Sequence, residues 1–125
     1  MANIFFDTSA LSKRYHAESG SANVDAIFET PTSQNYISRL SVVEMHSVFA
    51  KKVRVGLITL PAFHTLLQSF CLDVAEKRLR VIRMVGAHFH SAEQLLQRFG
   101  LHHNLRTLDA LQLSAALSIH LPDQP

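Results

Sequence analysis

The sequence has one cysteine, four glycines and four prolines in 125 residues, and no apolar stretch long enough to cross a membrane. With Cys71 alone, an internal disulfide and a cysteine-based zinc site are both excluded, which points to a reducing compartment and an expected cytoplasmic location. Few glycines and prolines, with 47% hydrophobic and 18% charged residues, exclude a disordered, collagen-like or low-complexity chain. The longest charge-free stretch, Val55 to Leu72, carries Thr59, Pro61, His64, Thr65, Gln68 and Ser69, too many polar groups for a membrane span. The N-terminus lacks a basic region and its apolar run stops after three residues, so no signal peptide is expected. Charge of either sign is not in large excess. Twelve Lys and Arg against ten Asp and Glu give +2, and the basic residues fall in small groups that read first as solvated faces. Glycine-rich phosphate loops and Gly-x-Ser-x-Gly elbows are missing, which removes P-loop and serine-hydrolase readings. Eight histidines include His88-x-His90 and His102-His103, but no His-Glu-x-x-His pattern, so exposed histidines are favoured over zinc.

What is present is a series of short apolar runs separated by helical segments. Ile4 to Phe6 suits a buried central strand, ending at the helix-capping run Asp7-Thr8-Ser9. Gly20-Ser21 opens a helical stretch closed by Pro31, and Asn35 to Ile37 is a second strand candidate. A strongly apolar helix runs from Ser38 to near Gly56, and Thr59 caps another with Pro61 in its first turn. Leu79 to Val85 is a third strand candidate, followed by helices over about 87–99 and 106–120. Parallel strands need crossover connections, so the pattern predicts an α/β fold: a small parallel sheet flanked by helices. Ligands of such sheets sit beyond the carboxyl ends of the strands, where Asp7 and Ser38-Arg39 fall. Cys71, between Phe70 and Leu72, reads as a buried inert thiol, and Met45 and Met84 read as core.

Three carboxylates interrupt apolar patterns: Asp7, Glu44 and Asp109. Such groups are costly on a core-facing stripe unless they meet a cation, a donor or a metal. Each has a structural alternative. Asp7 can cap the helix that follows it, and Ser41-x-x-Glu44 fits a capping box unless that helix begins nearer Ser38. Asp109 can sit in a first turn with Thr107 as cap. Jointly, the three are explained by a hard divalent cation with oxygen ligands.

Ile-Phe-Phe-Asp-Thr-Ser-Ala-Leu at the N-terminus, Ile-Ser-Arg-Leu-Ser-Val-Val-Glu-Met in the centre and Leu-Arg-Thr-Leu-Asp-Ala-Leu-Gln-Leu-Ser-Ala-Ala-Leu near the end resemble the three leading motifs of PIN domains. More narrowly, the chain resembles VapC-type toxins of type II toxin–antitoxin pairs, from residue 3 to about residue 120. That resemblance implies one PIN-like three-layer domain over 1–125 and a metal-dependent ribonuclease hydrolysing phosphodiester bonds of RNA. It implies that Asp7, Glu44 and Asp109 are catalytic and hold Mg²⁺ or Mn²⁺, with Glu44 completing the shell or orienting the attacking water. Arg14 and Arg39 are candidates for holding flanking RNA phosphates, from position only. Implied partners are a cognate antitoxin and a second copy of the chain, for which Leu57 to Phe70 is the nominated surface. Neither a membrane nor a DNA partner is expected.

The resemblance is incomplete at the C-terminus. Family members continue into a further strand with a Thr-x-Asp-type motif, whereas this sequence reads Ile119-His-Leu-Pro-Asp-Gln-Pro125. The expectation is a domain without the family's last strand, an open sheet edge, and Asp123 not standing in for the fourth acidic residue. A fragment, a truncated copy, or a partner covering the gap would each account for it. A second reading follows: a catalytically silent PIN-like module that binds antitoxin or RNA without cleaving.

Overall fold

The protein is described from a computed structural model, over residues 2–120. Asp123 and the proline-flanked tail lie outside the described residues. Its contacts divide it into two compact units, Met1–Val81 and Ile82–Pro125. In the first unit the order is β1 (Ala2–Phe5), α1 (Thr8–Tyr15), α2 (Ser21–Phe28), β2 (Ser33–Ser38), α3 (Arg39–Arg54) and α4 (Leu60–Ala75), with β3 (Arg80–Ile82) at its boundary. The second unit contains α5 (Gly86–Phe99) and α6 (Thr107–His120), which pack on each other. This is the expected α/β class, a small parallel sheet flanked by helices.

The sheet order is β1-β2-β3. Strands β1 and β2 are parallel, with Ala2 opposite Ser33 and Phe5 opposite Tyr36, and the Phe6 N–H donates to the Tyr36 carbonyl at 2.9 Å. In the sheet of the described residues β1 is therefore an outer strand, not the central one expected, and its residues are exposed or half-buried. An apolar run reports that side chains are wanted inside, not how many strands flank the backbone. The deeply buried residue is Phe6, just after the strand, at 4% exposure.

The core of the first unit joins Phe6, Leu11, Phe28, Ile37, Met45, Phe49, Phe70 and Leu79. Helix α3 contributes Ser41, Met45 and Phe49, one turn apart on one side. Helix α4 contributes Phe63, Leu66, Leu67, Phe70 and Val74, the i, i+3, i+4, i+7 and i+11 positions of a single stripe. Cys71 follows Phe70 by about 100° of helical rotation. It is therefore exposed, correcting the buried thiol expected from its apolar neighbours. Met45 is fully buried as expected, while Met84 is half-buried.

One buried carboxylate escaped the sequence reading. Asp73, 6% exposed on α4, accepts from the Tyr15 hydroxyl at 2.6 Å and from Arg78 Nε at 2.5 Å. The contact ties α1, α4 and the turn into β3 together. Tyr15 stacks edge-on to both Phe49 and Phe70. Burial, reinforced by the hydrogen bond to Asp73, holds the Tyr15 phenol protonated far above its ordinary value of 10.0. A raised folded-state pKa contributes stability that is complete below the unfolded value and is lost as pH rises above it. Unfolding by denaturant at pH 8 to 11 should show stability falling above about pH 10, with Tyr15→Phe flattening that decline relative to the parent. At neutral pH the same substitution should cost about 1.5–3 kcal/mol, the scale of a lost hydrogen bond to a charged group.

Candidate functional site

Parallel pairing places the carboxyl ends of β1 and β2 side by side, and each strand runs directly into a helix there. Asp7 caps α1: its Oδ1 accepts from the Ala10 N–H at 2.8 Å. Ser38 caps α3, its hydroxyl accepting from the Ser41 N–H at 3.3 Å. With α3 starting at Arg39, Ser41 lies inside the helix and the Ser41–Glu44 capping box is ruled out. Glu44 instead stands in the second turn of α3, half-buried.

Thr8 connects the two helix starts. Its hydroxyl donates to Glu44 Oε1 at 2.9 Å and lies 2.9 Å from the Ser41 hydroxyl. A carboxylate only accepts, so the Thr8 proton goes to Glu44 and the Ser41 hydroxyl donates to Thr8. Thr8, Ser38 and Ser41 are all buried. The sequence reading treated Thr8 only as part of a capping run, but its adjacency to Asp7 marks it as the residue that reaches the next helix. The arrangement holds the Glu44 carboxylate in a fixed place beside the strand end that carries an exposed Asp7.

Asp109 belongs to the second unit. It stands in the first turn of α6, and its Oδ2 accepts from the Arg106 N–H at 3.1 Å. Thr107 is the first residue of that helix, not the cap expected, and Arg106 precedes it. A negative charge at this helix start is favoured by the macrodipole. Among the described residues, no group of three or more His, Cys, Asp and Glu side chains is gathered so as to hold a metal ion. That applies to the histidine pairs as well. His88 is half-buried and accepts from the Val85 N–H at 3.1 Å, while His90, His102 and His103 are exposed.

The two arginines nominated for phosphates part company. Arg39, exposed, opens α3 next to the Ser38 cap, at the same strand ends as Asp7. Arg14 is in the last turn of α1, seven residues and roughly 10 Å along the helix from Asp7. Its guanidinium bridges Asp25 at 3.2 Å and Glu29 at 3.5 Å and covers the Phe28 ring at 4.4 Å. Among the described residues, no helix is long and apolar enough to cross a membrane.

Replacing Thr8 by Val leaves the Ser41 and Glu44 side chains without their common partner. Thr8→Val should lower stability by about 1–3 kcal/mol in denaturant unfolding, whereas Thr8→Ser, which keeps the hydroxyl, should stay within about 1 kcal/mol of the parent.

No family model matches the chain, and no curated protein matches it. Solved structures do. A chain of a toxin–antitoxin complex from Klebsiella pneumoniae superposes with a TM-score of 0.64 at 19% identity, covering 94% of this chain and 81% of that one. A chain of VapBC2 from Rickettsia felis, bound to a DNA fragment from its promoter, superposes with a TM-score of 0.61 at 18% identity, covering 96% and 83%. At these identities the likeness is one of fold: this chain is built as the matching chains of those toxin–antitoxin complexes are.

Proposed function

We propose that the protein is a VapC-like toxin, a metal-dependent endoribonuclease hydrolysing phosphodiester bonds of RNA and neutralised by a cognate antitoxin. The observation that carries the reading is the Asp7–Thr8–Glu44 arrangement: Asp7 at the end of β1, and Glu44 fixed by the hydroxyl of the buried Thr8 beside it. The fold shared with chains of toxin–antitoxin complexes supports the antitoxin partner.

The donor set suits a hard divalent cation. Asp7 Oδ1 is engaged with the Ala10 N–H, leaving its second oxygen for a ligand, and all three nominated groups offer carboxylate oxygen. In this proposal Asp7 and Glu44 hold Mg²⁺ or Mn²⁺, and Asp109 is a third candidate from the sequence resemblance alone. The ion, when bound, neutralises phosphodiester charge and lowers the pKa of a water molecule. The protein's own contribution is positional. Thr8 restrains Glu44 so that its carboxylate can orient the attacking water, and Arg39 is placed to hold a flanking phosphate. A second copy of the chain is the proposed partner at the start of α4. Phe63, Leu66, Leu67 and Phe70 of the nominated Leu57–Phe70 surface pack into its own core. The free apolar groups are Leu57, 63% exposed, and Leu60, 58% exposed.

The test is cleavage of labelled total tRNA and rRNA by the purified chain with Mg²⁺, Mn²⁺ or EDTA. Asparagine caps a helix as well as aspartate, so Asp7→Asn removes the charge while retaining the cap. It should abolish metal-dependent fragments, and Glu44→Gln should reduce their rate by about 100-fold or more. Fragments that persist in Asp7→Asn would contradict the proposal. Absence of cleavage by the folded parent would favour the silent module that binds antitoxin or RNA.

A further inference from the structure

A groove of about 510 Å³ opens at the amino ends of β2 and β3, entirely within the first unit. It is distinct from the carboxylates: Asn35 lies in the first half of β2, whereas Asp7 and Ser38 mark the far strand ends. Arg14, Glu29, Asn35, Lys77, Arg78 and Arg80 line it, four cations against one carboxylate. Two of the cations are already committed. Arg14 is bridged to Asp25 and Glu29, and Arg78 to Asp73 and Glu76. Lys77 and Arg80 are exposed and have no ion pair among the described residues. Their charge is left for something that enters the groove.

Two further observations indicate a ligand-binding surface. Asn35, 6% exposed, donates its amide N–H to the Phe28 carbonyl at 2.9 Å, but its Oδ1 is a buried acceptor with no hydrogen-bond partner among the described residues. A buried acceptor without a donor is unfavourable, and it belongs to a residue that lines the groove. Lys77, moreover, adopts φ +61°, the one non-glycine residue at positive φ among those described. It sits just past the end of α4, where its N–H reaches the Val74 carbonyl and the Arg78 N–H reaches the Asp73 carbonyl. The equivalent place after α3 is occupied by Gly56 at φ +79°, the residue type that this turn favours. A lysine held in the same conformation at the groove rim puts charge where backbone preference alone asks for glycine.

We infer that this groove binds a nucleotide, with Lys77 and Arg80 holding its phosphate and its base lying against the polar wall to which Asn35 contributes. The volume is within the range of small-ligand sites. The ligand is either a free mononucleotide or one nucleotide of an RNA strand, since both present a phosphate and a base. The inference is independent of cleavage, because no groove residue enters the proposed nuclease site: Arg14, nominated from the sequence for a flanking phosphate, is bridged to Asp25 and Glu29.

Binding is measured on the full chain by calorimetry or fluorescence at low salt. The probes are the four 5′-mononucleotides, their nucleosides, ribose 5-phosphate, inorganic phosphate and a short single-stranded RNA. At least one mononucleotide, or the RNA, should bind at least tenfold more tightly than its nucleoside, ribose 5-phosphate or phosphate. Saturation by mononucleotide identifies the free ligand, and binding of RNA alone identifies the strand. Lys77→Gly relieves the positive φ, so it should keep or raise thermal stability while weakening binding at least fivefold. Lys77→Gly with Arg80→Gln should weaken it further and flatten the salt dependence, whereas Lys51→Gln, at a position that does not line the groove, should change neither. Equal binding of nucleoside and nucleotide, equal binding of inorganic phosphate, insensitivity to the double variant, or no binding of any probe would each overturn the inference.

Discussion

Parallel pairing of β1 with β2 is the constraint on which the candidate site depends. Because the strands run the same way, with Phe5 opposite Tyr36, their ends coincide, and the helices that leave them start next to each other. Asp7 and Ser38 are then the caps of neighbouring helices, and Thr8 and Ser41, just inside those helices, come within hydrogen-bonding distance. A one-residue slip in the pairing would turn the alternating side chains to the other face and separate the two starts. The buried hydroxyl contacts are thus both a consequence of the register and a restraint on it.

The same polar contacts explain how a carboxylate persists on a helix that otherwise packs into the core. Glu44 lies beside the Ser41–Met45–Phe49 stripe and would be costly there without a donor. Thr8 supplies one. Asp73 solves an analogous problem on α4 with Tyr15 and Arg78, and its bonds hold the far side of the first unit together. One carboxylate is fixed near the strand ends, where chemistry is proposed, and the other secures the helices behind it. A buried acid is therefore not in itself a mark of a site.

Much of this was legible in the sequence because it is local. Short apolar runs ending in capping residues located β1 and β2 and the starts of α1, α3 and α4. The sequence left open the choice between a capping box at Ser41 and a helix begun nearer Ser38, and the structure decides it for Ser38. What was not legible is relational. The outer position of β1 depends on which strands pair, which Ile4 to Phe6 cannot encode by composition. Cys71 has apolar neighbours in sequence but not in the direction it faces. Asp73 finds its partners 58 residues back at Tyr15 and five ahead at Arg78, and no single stretch shows both. The groove at Asn35 brings together α1, the start of β2 and the α4–β3 turn, and had no sequence motif to announce it.

The central claim is that Asp7 and Glu44 act together as oxygen ligands of one divalent cation. Calorimetric titration of Mn²⁺ into the metal-free full chain, repeated with Asp7→Asn and Glu44→Gln, tests it without reference to any RNA. The account predicts saturable binding by the parent and at least tenfold weaker binding by each variant, with all three proteins equally folded by circular dichroism. Unchanged Mn²⁺ affinity in both variants, or no binding by the folded parent, would contradict it.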